Sequence, residues 1–329
     1  MKAIYLLNPA QIDNIYGPDE RSQIEGMVDL VAPPLSADTI SEHPEALAEV
    51  EAIFSGWGMR QLDEKFLAAA PNLKVVFYGS GSIKAFATDA AWDRGIVICS
   101  AWAANAIPVA EFNLAQILLS NKRAWSYPAA FRESGKWPSH VAVAGNFRST
   151  VGIVSMGMTG RLLRGFLAPF DHHVIAYDPF LTDEQARELD VEPVSLPDLF
   201  RRADVVSLNT PLLPETIGLV TGELLASMKP GATFINTARG AIVDEPALIK
   251  VFRERPDLIA ILDVTHPEPP APDSPLLTLP NVILTPHIAG SQDHECRRMG
   301  QLMVDECHRY LANEPLQTAI TREAAARMA

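Results

Sequence analysis

Along nearly the whole chain, short runs of β-branched and aromatic residues alternate with stretches whose apolar positions recur every three or four residues, the pattern of strands joined by crossover helices. In the first third, runs at 3–7, 52–55, 74–78 and 96–100 predict strands, and 62–69 predicts a helix, which together make a small open sheet. The segment PVAEFNLAQILLSNK predicts a helix over 108–122, with Pro108 in its first turn and Lys122 and Arg123 near its end, where a cation suits the helix dipole. This helix is expected to bridge two domains. Beyond it, runs at 150–155, 173–178, 205–208, 233–236, 258–263 and 282–284 predict six strands with intervening helices, the size of a dinucleotide fold. An amphipathic helix over 293–311 is expected to return to the first domain, ahead of a frayed TREAAARMA end. The fold class that follows is α/β, with two doubly wound parallel-sheet domains. The expected boundaries are 1–104 completed by 294–329 for one domain and 105–293 for the other.

Composition narrows the partners more than the fold. With 48% apolar and 20% charged residues in 329, the chain has material for about two ordinary globular cores, and disorder, collagen and coiled coil are excluded. A net charge of -13 repels phosphate backbones and anionic membrane surfaces, so neither nucleic acid nor membrane is expected as a partner. Cys99, Cys296 and Cys307 form no disulfide framework and no zinc spacing, which suits a reducing, cytoplasmic setting and predicts no metal. The opening MKAIYLLNPAQID is not the pattern of a signal peptide. His172 and His173 lack further ligands at coordination spacing and read as an exposed turn, while Cys296, Cys307, His294 and His308 read as chance neighbours on a charged helix.

TVGIVSMGMTGRLL places Ser155, Met156, Gly157, Met158, Thr159 and Gly160 between an apolar strand and the head of a helix, as S-x-G-x-x-G. In such a loop Gly157 lets the backbone approach a pyrophosphate, Gly160 lets helix and strand pack closely, and the helix N-terminus supplies N–H donors. Ser155 stands where the tight turn prefers glycine and is expected to weaken only that role. The next strand ends in Asp178, 18 residues past Gly160, where an acid accepts hydrogen bonds from the hydroxyls of an adenosine ribose and repels a 2'-phosphate. The expected cofactor is NAD and not NADP; an ordinary turn residue before Pro179 is the lesser reading of Asp178.

Three later segments place polar residues at the carboxyl ends of strands, where open α/β sheets bind ligands: Arg239 in FINTARGAIVDEPAL, Asp263 and Glu268 in AILDVTHPEPP, and His287 in VILTPHIAG. Arginine offers a planar fork for a carboxylate, histidine exchanges a proton near neutrality, and a neighbouring glutamate favours the charged imidazolium. Singly, each residue has an ordinary reading as a surface ion pair, a solvated loop charge or a structural histidine. Jointly they describe a site for reducing a 2-oxo acid.

With these residues in hand, the chain resembles the D-isomer-specific 2-hydroxyacid dehydrogenases over almost its whole length, through PVAEFNLAQILL, VGIVSMGMTGR, MKPGATFINTARGAIVDEPAL, DVTHPEPP and LTPHIAG. The resemblance implies a flavodoxin-like substrate domain beside a Rossmann NAD-binding domain, with the cofactor cleft between them. It implies Arg239, Glu268 and His287 as catalytic residues, Asp263 facing the nicotinamide carboxamide, and Thr210, Thr237 and Ala238 lining the cofactor cleft. It further implies that the backbone N–H groups of Tyr78, Gly79, Ser80 and Gly81 hold the substrate carboxylate. The implied reaction reduces a small 2-oxo acid of the glyoxylate or hydroxypyruvate type to a D-2-hydroxy acid with NADH. A homodimer is implied as well, its contact near Trp125 and Trp137, which otherwise read as packing residues. The chain departs from the family pattern at Ser155 (usually Gly), at Met158 (often Arg) and at Thr265-His266 (usually an aromatic and an acid). Glu268 in place of Gln argues against the formate-oxidising branch, and the chain length argues against the long phosphoglycerate dehydrogenases. A rival reading is a catalytically idle NAD-binding sensor of the corepressor kind.

Overall fold

The computed structural model describes residues 1–137 and 142–328, with the backbone alone described at 128–130 and 133. In chain order the strands of the first part are β1 (Lys2–Leu6), β2 (Asp29–Leu30), β3 (Ala52–Ser55), β4 (Val75–Tyr78) and β5 (Val97–Ser100). Helix α1 (Trp102–Ser120) follows, then β6 (Thr150–Val154), α2 (Met158–Leu167), β7 (His173–Tyr177), β8 (Glu192–Pro193), β9 (Val205–Leu208), β10 (Thr233–Asn236), β11 (Ile259–Leu262) and β12 (Val282–Leu284). Helix α3 (Cys296–Ala312) and β13 (Ala319–Ile320) complete the elements used below. The chain divides into two compact units, 1–105 with 291–329, and 106–290.

The first unit holds a sheet in the order β13-β5-β4-β3-β1-β2, parallel throughout except where β13 runs antiparallel to β5. Apart from the added β13 this is the flavodoxin-like 2-1-3-4-5 order. β3 (AIFS) and β4 (VVFY) are buried at every position because helices cover both faces of a parallel sheet, which explains their unbroken apolar runs. One face packs Ile4, Ile53 and Val76 with Leu62, Phe66 and Phe86, and the other packs Tyr5, Phe54 and Phe77 with Met299, Met303 and Cys307 of α3. Both helical cysteines therefore face the core, and burial pushes the Cys307 thiol up to about 12, where it is inert.

The second unit holds a parallel sheet in the order β12-β11-β10-β9-β6-β7-β8. Counted within the unit this is 3-2-1-4-5-6 with one further strand, the dinucleotide-binding order, and its direction reverses between β6 and β9. The loops after those two strands are where such a sheet presents a ligand.

Several sequence expectations need correction. The helix expected from Pro108 begins six residues earlier, at Trp102, and carries Pro108 in its interior. Proline removes one N–H but its φ suits a helix, and the apolar positions Ala104 and Ala106 continue the buried face upstream, so packing overrides the break. Lys122 and Arg123 lie past its end; Arg123 takes φ +52 and donates to Asp257 O. The short strands β2, β8 and β13 left no hydrophobic signature. His173 opens β7 and meets Glu192 at 2.7 Å, and His172 Nδ1 meets Ser149 Oγ at 2.9 Å, so neither is a bare turn residue. The tail is tied down, since Ile320 pairs with Ile98 and Thr321 caps a short helix, Arg322–Ala325.

That tail is tethered by Glu306, which is fully buried on α3 and accepts from the N–H groups of Gln317 and Thr318, the Thr318 hydroxyl and the Arg309 guanidinium. Burial works against its charged form, but these donors outweigh it and hold the carboxyl below its ordinary range. A carboxyl with a lowered folded value stabilises the fold above the unfolded value of about 4.3, and the contribution is lost as pH falls through the folded value. Glu306→Gln is accordingly expected to destabilise the first unit by about 1–3 kcal/mol at neutral pH, and the gap should close on acidification toward pH 3. Denaturant unfolding at a series of pH values checks this; a gap that is the same at pH 7 and pH 3 contradicts it.

Candidate functional site

At the switch point of the second unit, β6 ends in Val154 and the chain turns through Ser155 into α2, capped at its start by Gly157. Ser155 takes φ +74, the left-handed region that glycine prefers, so the tight turn is kept at a cost of about 1–3 kcal/mol rather than loosened. Its hydroxyl meets that of Thr210 at 2.9 Å, joining the ends of β6 and β9. A Cβ on Gly160 would lie 2.2 Å from Ser155 O, so only glycine lets α2 sit this close to the strand. A Cβ on Gly157 would meet nothing within 4 Å, and no side chain caps the helix there. Neither a neighbouring atom at the Gly157 Cβ position nor a capping side chain thus blocks an anion from the start of α2, as pyrophosphate binding requires. Met158 is partly exposed, and Arg161 donates to Met156 O, which braces the loop from behind.

Asp178 follows β7. Its Oδ2 accepts from Met156 N at 2.8 Å and its Oδ1 from Phe180 N at 2.8 Å. Each oxygen keeps a further acceptor site and the side chain is half-buried, so the carboxylate both ties the loop and stays open to hydroxyl donors. The residues present fit an adenine dinucleotide.

The second cluster sits at the carboxyl ends of β10, β11 and β12. His287 Nδ1 lies 2.6 Å from Glu268 Oε1, and both side chains are nearly half exposed. A carboxylate only accepts, so Nδ1 carries the proton and Nε2 is left for another partner. Arg239 is partly buried and donates to Ala238 O at 2.6 Å. Burial pushes its guanidinium below the ordinary value, and the nearby Glu268 carboxylate pulls the other way. A cavity of about 440 Å³ opens beside the dyad, with Val264, Pro269, Pro270, Leu277 and Leu284 among its walls. His266, the other histidine of this stretch, is exposed, and its N–H donates to Glu245.

Asp263 is almost completely buried, and its carboxylate accepts from Thr285 Oγ1 at 2.5 Å, Ile288 N at 2.9 Å and Ala289 N at 2.8 Å. It is thus engaged mainly with the segment that carries His287. Sequence reasoning missed the supports of Arg239. Asn236 bonds Ala238 N and Arg239 O, Thr237 Oγ1 donates to the buried Asn113 of α1, and Asn113 donates in turn to Asn209. A Cβ on Gly240 would lie 2.1 Å from the Thr265 carbonyl, so the Arg239 and Glu268 segments touch backbone to backbone. Asparagine in an apolar helix was the visible signal for Asn113; nothing in the pattern singled out Gly240.

In the first unit, the Tyr78–Gly81 turn begins at the last residue of β4 and sits beside the loop after β3 that carries the partly exposed Trp57. Gly79 N donates to Ser55 O and Ser80 N to Tyr78 O, while Ser100 Oγ donates to the carbonyls of Ser80 and Gly81. The Gly79 amide is thus used by the sheet and the Ser80 amide within the turn, while Tyr78 is itself the last residue of β4, paired with Ser55 and Ser100.

The profile of the family described as D-isomer specific 2-hydroxyacid dehydrogenase, NAD binding domain, matches residues 114–289. D-3-phosphoglycerate dehydrogenase of Mycobacterium leprae is 37% identical over 259 residues, 79% of this chain and 49% of that protein. The chain thus spans about half the length of that relative. (S)-sulfolactate dehydrogenase of Chromohalobacter salexigens is 35% identical over 268 residues, 78% of this chain and 86% of that one. The crystal structure of a phosphoglycerate oxidoreductase from Rhizobium etli superposes with a TM-score of 0.81, covering 98% of both chains at 24% identity, which shows the shared fold.

The position of Asp178 predicts a kcat/KM for NADH at least roughly tenfold above that for NADPH, about 1.4 kcal/mol of discrimination. Asp178→Ser should erode the preference. Its Oδ2 also anchors Met156 N, so NADH affinity should fall in the same variant. Equal use of the two cofactors by the wild type contradicts the ribose assignment.

Proposed function

The chain belongs to the D-isomer-specific 2-hydroxyacid dehydrogenases, and from that premise we propose that it reduces a small 2-oxo acid, of the glyoxylate or hydroxypyruvate type, to the D-2-hydroxy acid with NADH. The observation that carries the reading is the 2.6 Å contact between His287 Nδ1 and Glu268, with Arg239 in the same electrostatic neighbourhood. The loop 155–160 and Asp178 would hold NADH, which would supply the hydride for C2. His287 holds a proton at Nε2 for the carbonyl oxygen, and Glu268 orients the ring and balances its charge. Arg239 binds the carboxylate and polarises the carbonyl through its planar fork, and its partial burial strengthens that attraction by excluding water. Thr210, Thr237 and Ala238 line the cofactor's path, and the Tyr78–Gly81 turn of the first unit is proposed as a carboxylate-binding turn.

The cavity beside the dyad leaves room for a substituent on C3. Two relatives carry names that denote 2-hydroxy acids with a second anionic group, so 3-phosphohydroxypyruvate and sulfopyruvate belong beside glyoxylate and hydroxypyruvate in a substrate panel. The buried free thiols of Cys99, Cys296 and Cys307 support a reducing, cytoplasmic setting. Among the described residues no helix is long and apolar enough to cross a membrane.

A homodimer is part of the proposal. Trp125 packs inward and donates to Gln116, but Trp137 is 84% exposed and stacks edge-on against the partly exposed Phe131 at 5.2 Å. Two large apolar rings side by side in water support a subunit contact there, and correct the reading of Trp137 as a packing residue.

Steady-state assay of the substrate panel with NADH tests the reaction: turnover of at least one 2-oxo acid is expected, and none, with NADH bound, overturns it. His287→Gln should lower kcat by about 10²-fold or more while NADH binding is retained. Arg239→Lys should cost more than tenfold, roughly, because an ammonium keeps the charge and loses the fork. Light scattering of Phe131→Ser/Trp137→Ser should show a shift from dimer to monomer; a wild type already monomeric at high concentration removes the dimer from the proposal.

A further inference from the structure

The segment Thr285-Pro286-His287-Ile288-Ala289 leaves the end of β12 with an unusual backbone: His287 takes φ +55, a region that residues with a side chain seldom adopt. Asp263 holds it there. Its carboxylate accepts from the Thr285 hydroxyl on one side of His287 and from the amides of Ile288 and Ala289 on the other, and its carbonyl accepts from His287 N at 3.0 Å. Relaxing His287 to a negative φ would swing the two flanks apart and break bonds on one side of this grip. Three of the four acceptor sites of the buried carboxylate are occupied in this way, which leaves one for any other donor.

We infer that Asp263 and Thr285 are positioning residues for His287: the hydroxyl–carboxylate pair between the ends of β11 and β12 sets the ring at the angle at which Nδ1 meets Glu268. The inference rests on the reading of His287 as proton donor, and it moves the main task of Asp263 from the cofactor to the histidine. Thr285 carries no assignment in the family motif as read from the sequence. Its hydroxyl is the one side-chain donor in the grip and is the part that can be removed without touching a charge or a backbone group.

The test compares Thr285→Val, nearly the same shape without the donor, with Thr285→Ser, which keeps it. Thr285→Val should lower kcat about fivefold or more with the NADH dissociation constant unchanged within about twofold, and Thr285→Ser should restore kcat to within about twofold of wild type. Proton NMR of the enzyme should show the ring N–H of the His287–Glu268 bond, identified by its absence in His287→Gln, as a downfield signal in wild type and Thr285→Ser that is lost or shifted in Thr285→Val. Wild-type kcat and an unmoved signal in Thr285→Val overturn the inference, even if the melting temperature falls. So does weaker NADH binding with kcat unchanged, which would return Asp263 to the cofactor. If the wild type reduces no 2-oxo acid, the proposed reaction fails, and the NMR signal still decides whether the grip sets the ring. Thr285→Ala replaces the valine variant if the latter does not fold.

Discussion

A carboxylate taken out of water must be surrounded by donors, and in the second unit Asp263 is surrounded by those of the segment that carries His287. The same residue is the continuation of β11, whose amide bonds Asn236 O at the end of β10. One residue thereby ties the ends of three neighbouring strands to a catalytic candidate, β10 through its amide and the segment after β12 through its carboxylate. The arrangement explains how a histidine that is nearly half exposed can still be held in a strained backbone: the restraint lies beneath it, where solvent does not compete.

The rest of the cluster is built in the same manner, each candidate side chain resting on a polar or backbone constraint beside it. Arg239 rests on Asn236 and on the close approach of Gly240 to Thr265. Ser155 rests on Thr210, and the loop 155–160 rests on Asp178. Apart from the Gly240 contact, these supports are short polar side chains at the carboxyl ends of parallel strands, where the last carbonyls and the next amides lack sheet partners and must find others.

The fold class was legible because buried parallel strands are nearly uninterrupted apolar runs, and the family was legible because the reactive residues recur at strand ends in fixed local contexts. Short edge strands were not legible: two residues such as Asp29 and Leu30 carry no period. Pro108 misled because a local breaker was outweighed by a buried face that continues through it. Ser155 misled in the opposite direction, since the residue type suggested a loosened turn and the backbone adopts the tight one regardless. Asp263 was visible as an acid in the right place, but its task depends on which donors lie within 3 Å, and those come from residues more than twenty positions away.

The discontinuity of the first unit has a bearing on how the protein is made. Tyr5, Phe54 and Phe77 are covered on one face by Met299, Met303 and Cys307, and the β5 edge is closed by β13. During synthesis those covering residues emerge only after the whole of 106–290, a delay of roughly ten to forty seconds at ordinary elongation rates. Through that interval the second unit can fold on its own sheet while the first presents an uncovered apolar face and an open strand edge, the features that chaperones bind and that nucleate aggregation. The order of segments in the chain thus makes residues 1–105 the fragile intermediate, although they are translated first.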